Sequence, residues 1–247
     1  MLQSRLLRFW APDGHPIALA QFALFVREPF TSDAHYMSGG SRWAVARMNL
    51  RQSAPGRPAR DTTWNQGVNG TPSQPGDLFA AGFVSVPLMP GMTSWSLAAT
   101  FNPSVASSGG ECVPLEPLPT GSIVVSDLAF GLARSDLAWQ FSGQTVLLSA
   151  TGEFARNEPI HVTYQVRSDT RHDGGRTTIT LTNVSDPKKG ERLMQVRFDG
   201  VIGEGVNVVE RELDVSHLKS GKYLVELEVA DKHGGGSFWQ SGMFTLK

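Results

Sequence analysis

The run Leu213-Asp214-Val215-Ser216-His217-Leu218-Lys219-Ser220-Gly221-Lys222-Tyr223 decides how the rest of this chain is read. Leu218 stands where a side chain plugs the end of a sandwich, and Gly221 turns the chain. Tyr223 opens the next strand, from which its hydroxyl can reach back to the backbone, as in the tyrosine corner of Greek-key sandwiches. Beyond it, Val225 and Leu227 alternate with Glu226 and Glu228, the period of a strand that sends successive side chains to opposite faces. The same pattern occurs 130 residues earlier (221 − 91) in Phe83-Val84-Ser85-Val86-Pro87-Leu88-Met89-Pro90-Gly91, and Trp95 and Leu97 then keep step with Val225 and Leu227. Thr93 stands where Tyr223 does, so the corner of the first copy needs another closure. An offset near the length of one immunoglobulin-like domain predicts an all-β chain of two tandem immunoglobulin-like (Greek-key) β-sandwich domains.

Composition agrees with short strands joined by many turns. Charged residues make up 18% of the 247, below the roughly 25% usual in soluble domains, while Gly (26) and Pro (15) are plentiful. No window of a dozen residues carries an apolar stripe at helical spacing. Alternation predicts strands at 3–10, 17–26, 42–51, 78–86 and 94–101, then at 121–132, 145–150, 160–167, 177–183, 193–198, 206–213, 222–231 and 236–245. Turns are expected at Ala11-Pro12-Asp13-Gly14, His172-Asp173-Gly174-Gly175, Ser185-Asp186-Pro187-Lys188-Lys189-Gly190 and His233-Gly234-Gly235-Gly236.

The stretch Asn102–Gly110, followed by Pro114, Pro117 and Pro119, has the Pro, Ser and Gly content of a linker and sets the expected domains at 1–118 and 119–247. Within the first lies a long insert, 52–76, with four Pro and four Gly. It is irregular enough to predict a functional loop rather than core strands.

The chemistry of sites is sparse. With 22 Lys+Arg against 23 Asp+Glu the net charge is −1, which gives no field to draw nucleic acid or an anionic membrane. No segment reaches the roughly 18 apolar residues of a membrane span. The single cysteine, Cys112, excludes an intrachain disulfide and a Cys-based zinc site, and an inert thiol is expected. Gly-x-Ser-x-Gly is absent, and the glycine pairs precede no Gly-Lys-Ser/Thr element. His15, His35, His161, His172, His217 and His233 are scattered with no His-x-His spacing for a metal, and alternation puts His161 in solvent opposite Ile160 and Val162. Glu210/Glu212/Asp214 and Glu226/Glu228 alternate with apolar residues, so they line outer faces. The reading is therefore of a chain that is not an enzyme and holds no cofactor or metal.

Six tryptophans are the strongest residual signal. Trp43, Trp95 and Trp139 fall in apolar strand patterns and are assigned to cores. Trp10 before a turn, Trp64 inside the insert and Trp239 after three glycines are the candidates for partner binding, because tryptophan is enriched at interface hot spots.

Leu7-Arg8-Phe9-Trp10-Ala11-Pro12-Asp13-Gly14 and Ile123-Val124-Val125-Ser126-Asp127-Leu128 resemble the β-sandwich region of bacterial envelope proteins named for a Gly-Trp-x-Thr-Asp motif, a motif this chain lacks. That resemblance implies exported, non-catalytic modules in the periplasm or cell envelope, with an export signal removed. In type the chain is also similar to a two-sandwich accessory subunit bound to other protein subunits on the periplasmic side of a membrane complex, such as a photosynthetic reaction centre. The alternative expectation is a carbohydrate-binding β-sandwich that stacks sugars on exposed tryptophans.

Overall fold

The computed structural model describes residues 2–25, 35–36, 42–69, 78–101, 104–111, 123–134, 137–186, 190–233 and 237–247. The protein is all-β, and among the described residues no helix occurs. Two compact units divide the chain: Met1–Leu6 with Ile17–Glu116, and Leu7–Pro16 with Pro117–Lys247. Leu7–Pro16 thus count with the second unit rather than with the stretch of chain they open.

In the first part of the chain, β1 (Leu2–Trp10), β2 (Pro16–Phe25) and β6 (Leu78–Pro87) form one sheet in the order β1-β2-β6. A second sheet runs β3 (His35–Tyr36), β4 (Arg42–Ser53), β7 (Ser94–Phe101), β8 (Ser104–Glu111), with β5 (Arg60–Asn69) also paired to β4. The core of the first unit draws on both sheets. Ala18, Ala20, Phe22 and Leu24 alternate along β2, while Met48, Leu50, Leu97 and Ala99 alternate along β4 and β7. The turn between β6 and β7 adds Leu88, Met89 and Met92.

The second unit has β9 (Ile123–Val125) and β10 (Ala129–Gly131) pairing with β14 (Ile160–Ser168), which also pairs with β17 (Gly205–Leu213). The hairpin of β11 (Ala138–Phe141) and β12 (Gln144–Leu147) stands separately. β13 (Glu153–Phe154), β15 (His172–Asn183), β16 (Glu191–Ile202), β18 (Gly221–Asp231) and β19 (Ser237–Leu246) form a five-stranded sheet in the order β13-β19-β18-β15-β16. Ile160, Val162, Tyr164 and Val166 from one sheet meet Ile179, Leu181, Val225, Leu227 and Phe244 from the other in a single core. Tyr223 closes its end. The β11–β12 hairpin covers the outer face of the smaller sheet closely enough that a Cβ on Gly131 would lie 2.5 Å from Leu147, and Trp139 packs edge-on against Phe9 at 5.5 Å.

The repeat is physical. β4 and β15 begin and end 130 residues apart (172 − 42 and 183 − 53), and the order β5-β4-β7-β8 in one unit is matched by β16-β15-β18-β19 in the other. β3 beside β4 and β13 beside β19 are the additions that the two sheets do not share.

Four sequence expectations are corrected. Within the 52–76 insert, Arg60–Asn69 is β5, paired with β4 from Gln52↔Arg60 to Trp43↔Asn69, and residues 70–76 lie outside those described. Its inward positions, Thr62, Trp64 and Gln66, are half-buried against exposed Asp61, Thr63 and Asn65, an alternation that hydrophobicity alone does not register. The expected linker contributes β8, which pairs with β7 along its length. Cys112 and the prolines at 114, 117 and 119 are outside the described residues. The strand expected at 121–132 is interrupted at Ser126, where the chain turns to bond Gln165. His172–Gly175 opens β15 with a register irregularity instead of forming a free turn.

Candidate functional site

The tryptophan candidates have separate fates. Trp10 is 2% exposed, and the Gln165 side chain brackets its backbone as a neighbouring strand would: the Trp10 amide donates to Oε1 at 2.6 Å and Nε2 donates to the Trp10 carbonyl at 3.0 Å. Its indole is therefore enclosed and offers no anchor at the surface. Trp64 packs against the core of the first unit, 6.4 Å from Phe22. Trp239 alone stands out, 59% exposed on β19.

The register around Trp239 defines a face. Because alternate residues share a side, four rows run across β19, β18, β15 and β16: Ser237, Ala230, Arg176 and Asp199; Trp239, Glu228, Thr178 and Arg197; Ser241, Glu226, Thr180 and Gln195; and Met243, Leu224, Thr182 and Arg192. Met243 is 56% exposed, and Leu193 and Val201 of β16 are the other large apolar residues left exposed among those described. Thr178 and Thr180 form a sunken floor between longer neighbours. Beside the floor, a depression of about 260 Å³ is lined by Arg176, Thr178, Arg197, Glu228, Asp231 and Lys232. Asp199 engages Arg176 at 3.2 Å and Lys232 at 2.7 Å, and those cations, Lys232 first, hold its carboxyl below the usual carboxylate range.

A second constellation escaped the sequence reading. The His172 ring meets Asp231 Oδ2 through Nδ1 at 2.9 Å and the Ser168 hydroxyl through Nε2 at 2.9 Å. The order Ser, His, Asp is that of a nucleophile relay. Ser168, however, is 1% exposed, and its Oγ also faces the Thr170 amide at 3.4 Å. No acyl carbon can approach a hydroxyl so enclosed. The arrangement ties the start of β15 to the end of β18, with the Lys232 amide bonded to the Gly174 carbonyl alongside. The His233 amide, and after it the His172 ring, hold the Asp231 carboxyl below the usual range. His172 and Asp231 lie 59 residues apart, so no local spacing in the sequence pairs them.

His161, expected in solvent, is 16% exposed and bonds Glu210 at 2.5 Å. Among the described residues no group of three metal-ligating side chains occurs, and no helix is long and apolar enough to cross a membrane. The two stretches that carry the family resemblance do meet: Arg8 grips Asp127 through Nε at 2.9 Å and Nη2 at 2.6 Å, and Gln240 donates to the same carboxylate at 2.7 Å. No protein-family model matches the chain, and no curated protein matches it.

Proposed function

We propose that this chain is a non-catalytic interaction module that docks onto another protein through the outer face of the β19-β18-β15-β16 sheet. One observation carries the reading: Trp239 and Met243, 59% and 56% exposed, stand on the same side of β19 with only Ser241 between them on that face. Large apolar side chains held in water by a rigid sheet are the usual material of interface hot spots. The resemblance to envelope β-sandwiches supports placing the partner among the subunits of a membrane complex on its periplasmic side, a photosynthetic reaction centre being the most specific form of the proposal.

The carbohydrate reading has less support. A sugar platform needs two coplanar aromatics, and Trp239 is the one exposed aromatic among the large apolar residues described. Affinity capture of the tagged full chain from its native cells, followed by mass spectrometry, tests the docking reading. A partner recovered by the native chain and lost from Trp239→Ser/Met243→Ser supports it. Equal recovery by the double variant, or retention on polysaccharide with no protein partner, overturns it.

A further inference from the structure

We propose that the partner presents a lysine or arginine side chain to this face, laid over the Trp239 indole beside the Glu228 carboxylate. The inference rests on the docking reading and gives that partner a chemistry. Trp239 and Glu228 are directly opposite in the antiparallel pairing of β18 and β19, which places their Cβ atoms about 5 Å apart on one side of the sheet. Glu226 follows two residues along β18, opposite Ser241, a side chain too short to screen it.

Among the described residues neither the Glu226 nor the Glu228 carboxylate forms an ion pair or hydrogen bond. The nearest cation in the same row, Arg197, is separated from Glu228 by Thr178, two strand spacings or about 10 Å away. Arg176 and Lys232, on the neighbouring row and strand end, are held by Asp199. Two carboxylates that form no ion pair thus stand on the strand beside an exposed indole, whose π-system carries negative charge on its faces. Both features favour one kind of occupant, a cation with a flat or slender apolar stem. Met243, four residues from Trp239 and so about 13 Å away along the strand, supplies the apolar seat at the other end. The matching segment carries a basic residue and, about four extended residues away, an apolar one.

The test uses the full chain and a defined probe, acetyl-Arg-Ser-Thr-Ser-Leu-amide, with a twin in which citrulline replaces arginine. Binding is followed by NMR at the Trp239 indole resonance, assigned by its disappearance in W239F. The expected result is a saturable shift with the arginine peptide that weakens at least fivefold in Glu228→Gln and in 300 mM salt, with the citrulline twin binding at least fivefold more weakly. Equal binding of the twin, an unaltered response in Glu228→Gln, or saturation by cellotriose without response to the arginine peptide would each overturn the inference. The two readings separate in affinity capture. Recovery that survives Glu228→Gln and Glu226→Gln but fails with Trp239→Ser/Met243→Ser removes the cation and keeps the docking face, whereas recovery indifferent to all four substitutions removes both.

Discussion

The Tyr223 hydroxyl donates to the Lys219 carbonyl oxygen at 2.5 Å while its ring stacks on Phe244, 5.4 Å between centroids. One side chain thereby fills the core end and ties the turn that enters β18. Tyr223→Phe keeps the stack and removes the donor, so a loss of about 1–2 kcal/mol is expected, with Tyr223→Leu costing more because the stack goes as well. Denaturant unfolding with unchanged slope and a lowered midpoint is the signature; an unmoved midpoint in Tyr223→Phe would show that the bond contributes nothing. In the first repeat Thr93 has no such reach, and its backbone amide closes the turn on the Ser53 carbonyl at 3.0 Å.

Gly221 is required by its neighbour. A Cβ there would collide with Ser185 Oγ, which accepts the Lys222 amide at 2.8 Å. Gly221→Val is expected to destabilise by about 2–3 kcal/mol, in the range of overpacked sites. Because the obstacle is one hydroxyl, Gly221→Ala combined with Ser185→Gly should recover part of the loss of Gly221→Ala alone, a coupling that a double-mutant cycle in urea measures. Simple additivity would place the difficulty in the backbone of Gly221 rather than in the clash.

Arg8 and Asp127 form a two-pronged, largely buried ion pair, and the Arg8 amide adds a third bond to the same carboxylate at 2.7 Å. Removing the anion takes both prongs of the ion pair from a guanidinium that water reaches poorly, so Asp127→Ala should cost about 2–4 kcal/mol. Arg8→Met, which keeps an apolar stem but still leaves Asp127 its bonds from the Arg8 amide and Gln240, should cost less. Thermal melts of the two variants rank them, and the reverse order would contradict the argument that a poorly hydrated cation is the costlier partner to leave behind.

Legibility of the fold followed the location of its information. β2, β14 and β18 announce themselves because each buries alternate or continuous apolar residues, and the Tyr223 corner was readable because donor and acceptor lie four residues apart. β5 and β8 were invisible for the complementary reason: threonine, glutamine, serine and glycine occupy them, and β4 and β7 supply the pairing that makes them strands. The same limit governed the candidate site. Trp239 could be singled out from a local glycine run, yet Trp10 looked equally free until Gln165, 155 residues away, bonded its backbone. That β5 is a paired strand also means that removing Arg60–Asn69 should unfold the first unit rather than trim a loop, a result that loss of cooperative melting would reveal.

Asp231 sets an acid limit on the second unit. The His233 amide and the His172 ring favour its charged form, so its folded pKa lies below the unfolded value of about 3.9. The unfolded chain then binds the proton more readily, and stability from this group rises with pH through that window. Its contribution is complete above about pH 5 and is lost as pH falls from about 4 toward the depressed folded value. Asp231→Asn has no such proton to bind, so between pH 5 and 2.5 its melting temperature should fall less steeply than that of the native protein, even though it starts lower for want of the charged acceptor. Asp199 and Asp214 share the same direction of shift and keep both slopes above zero. Parallel curves across that interval would mean that the bonds to Asp231 do not distinguish its charged form from its neutral one.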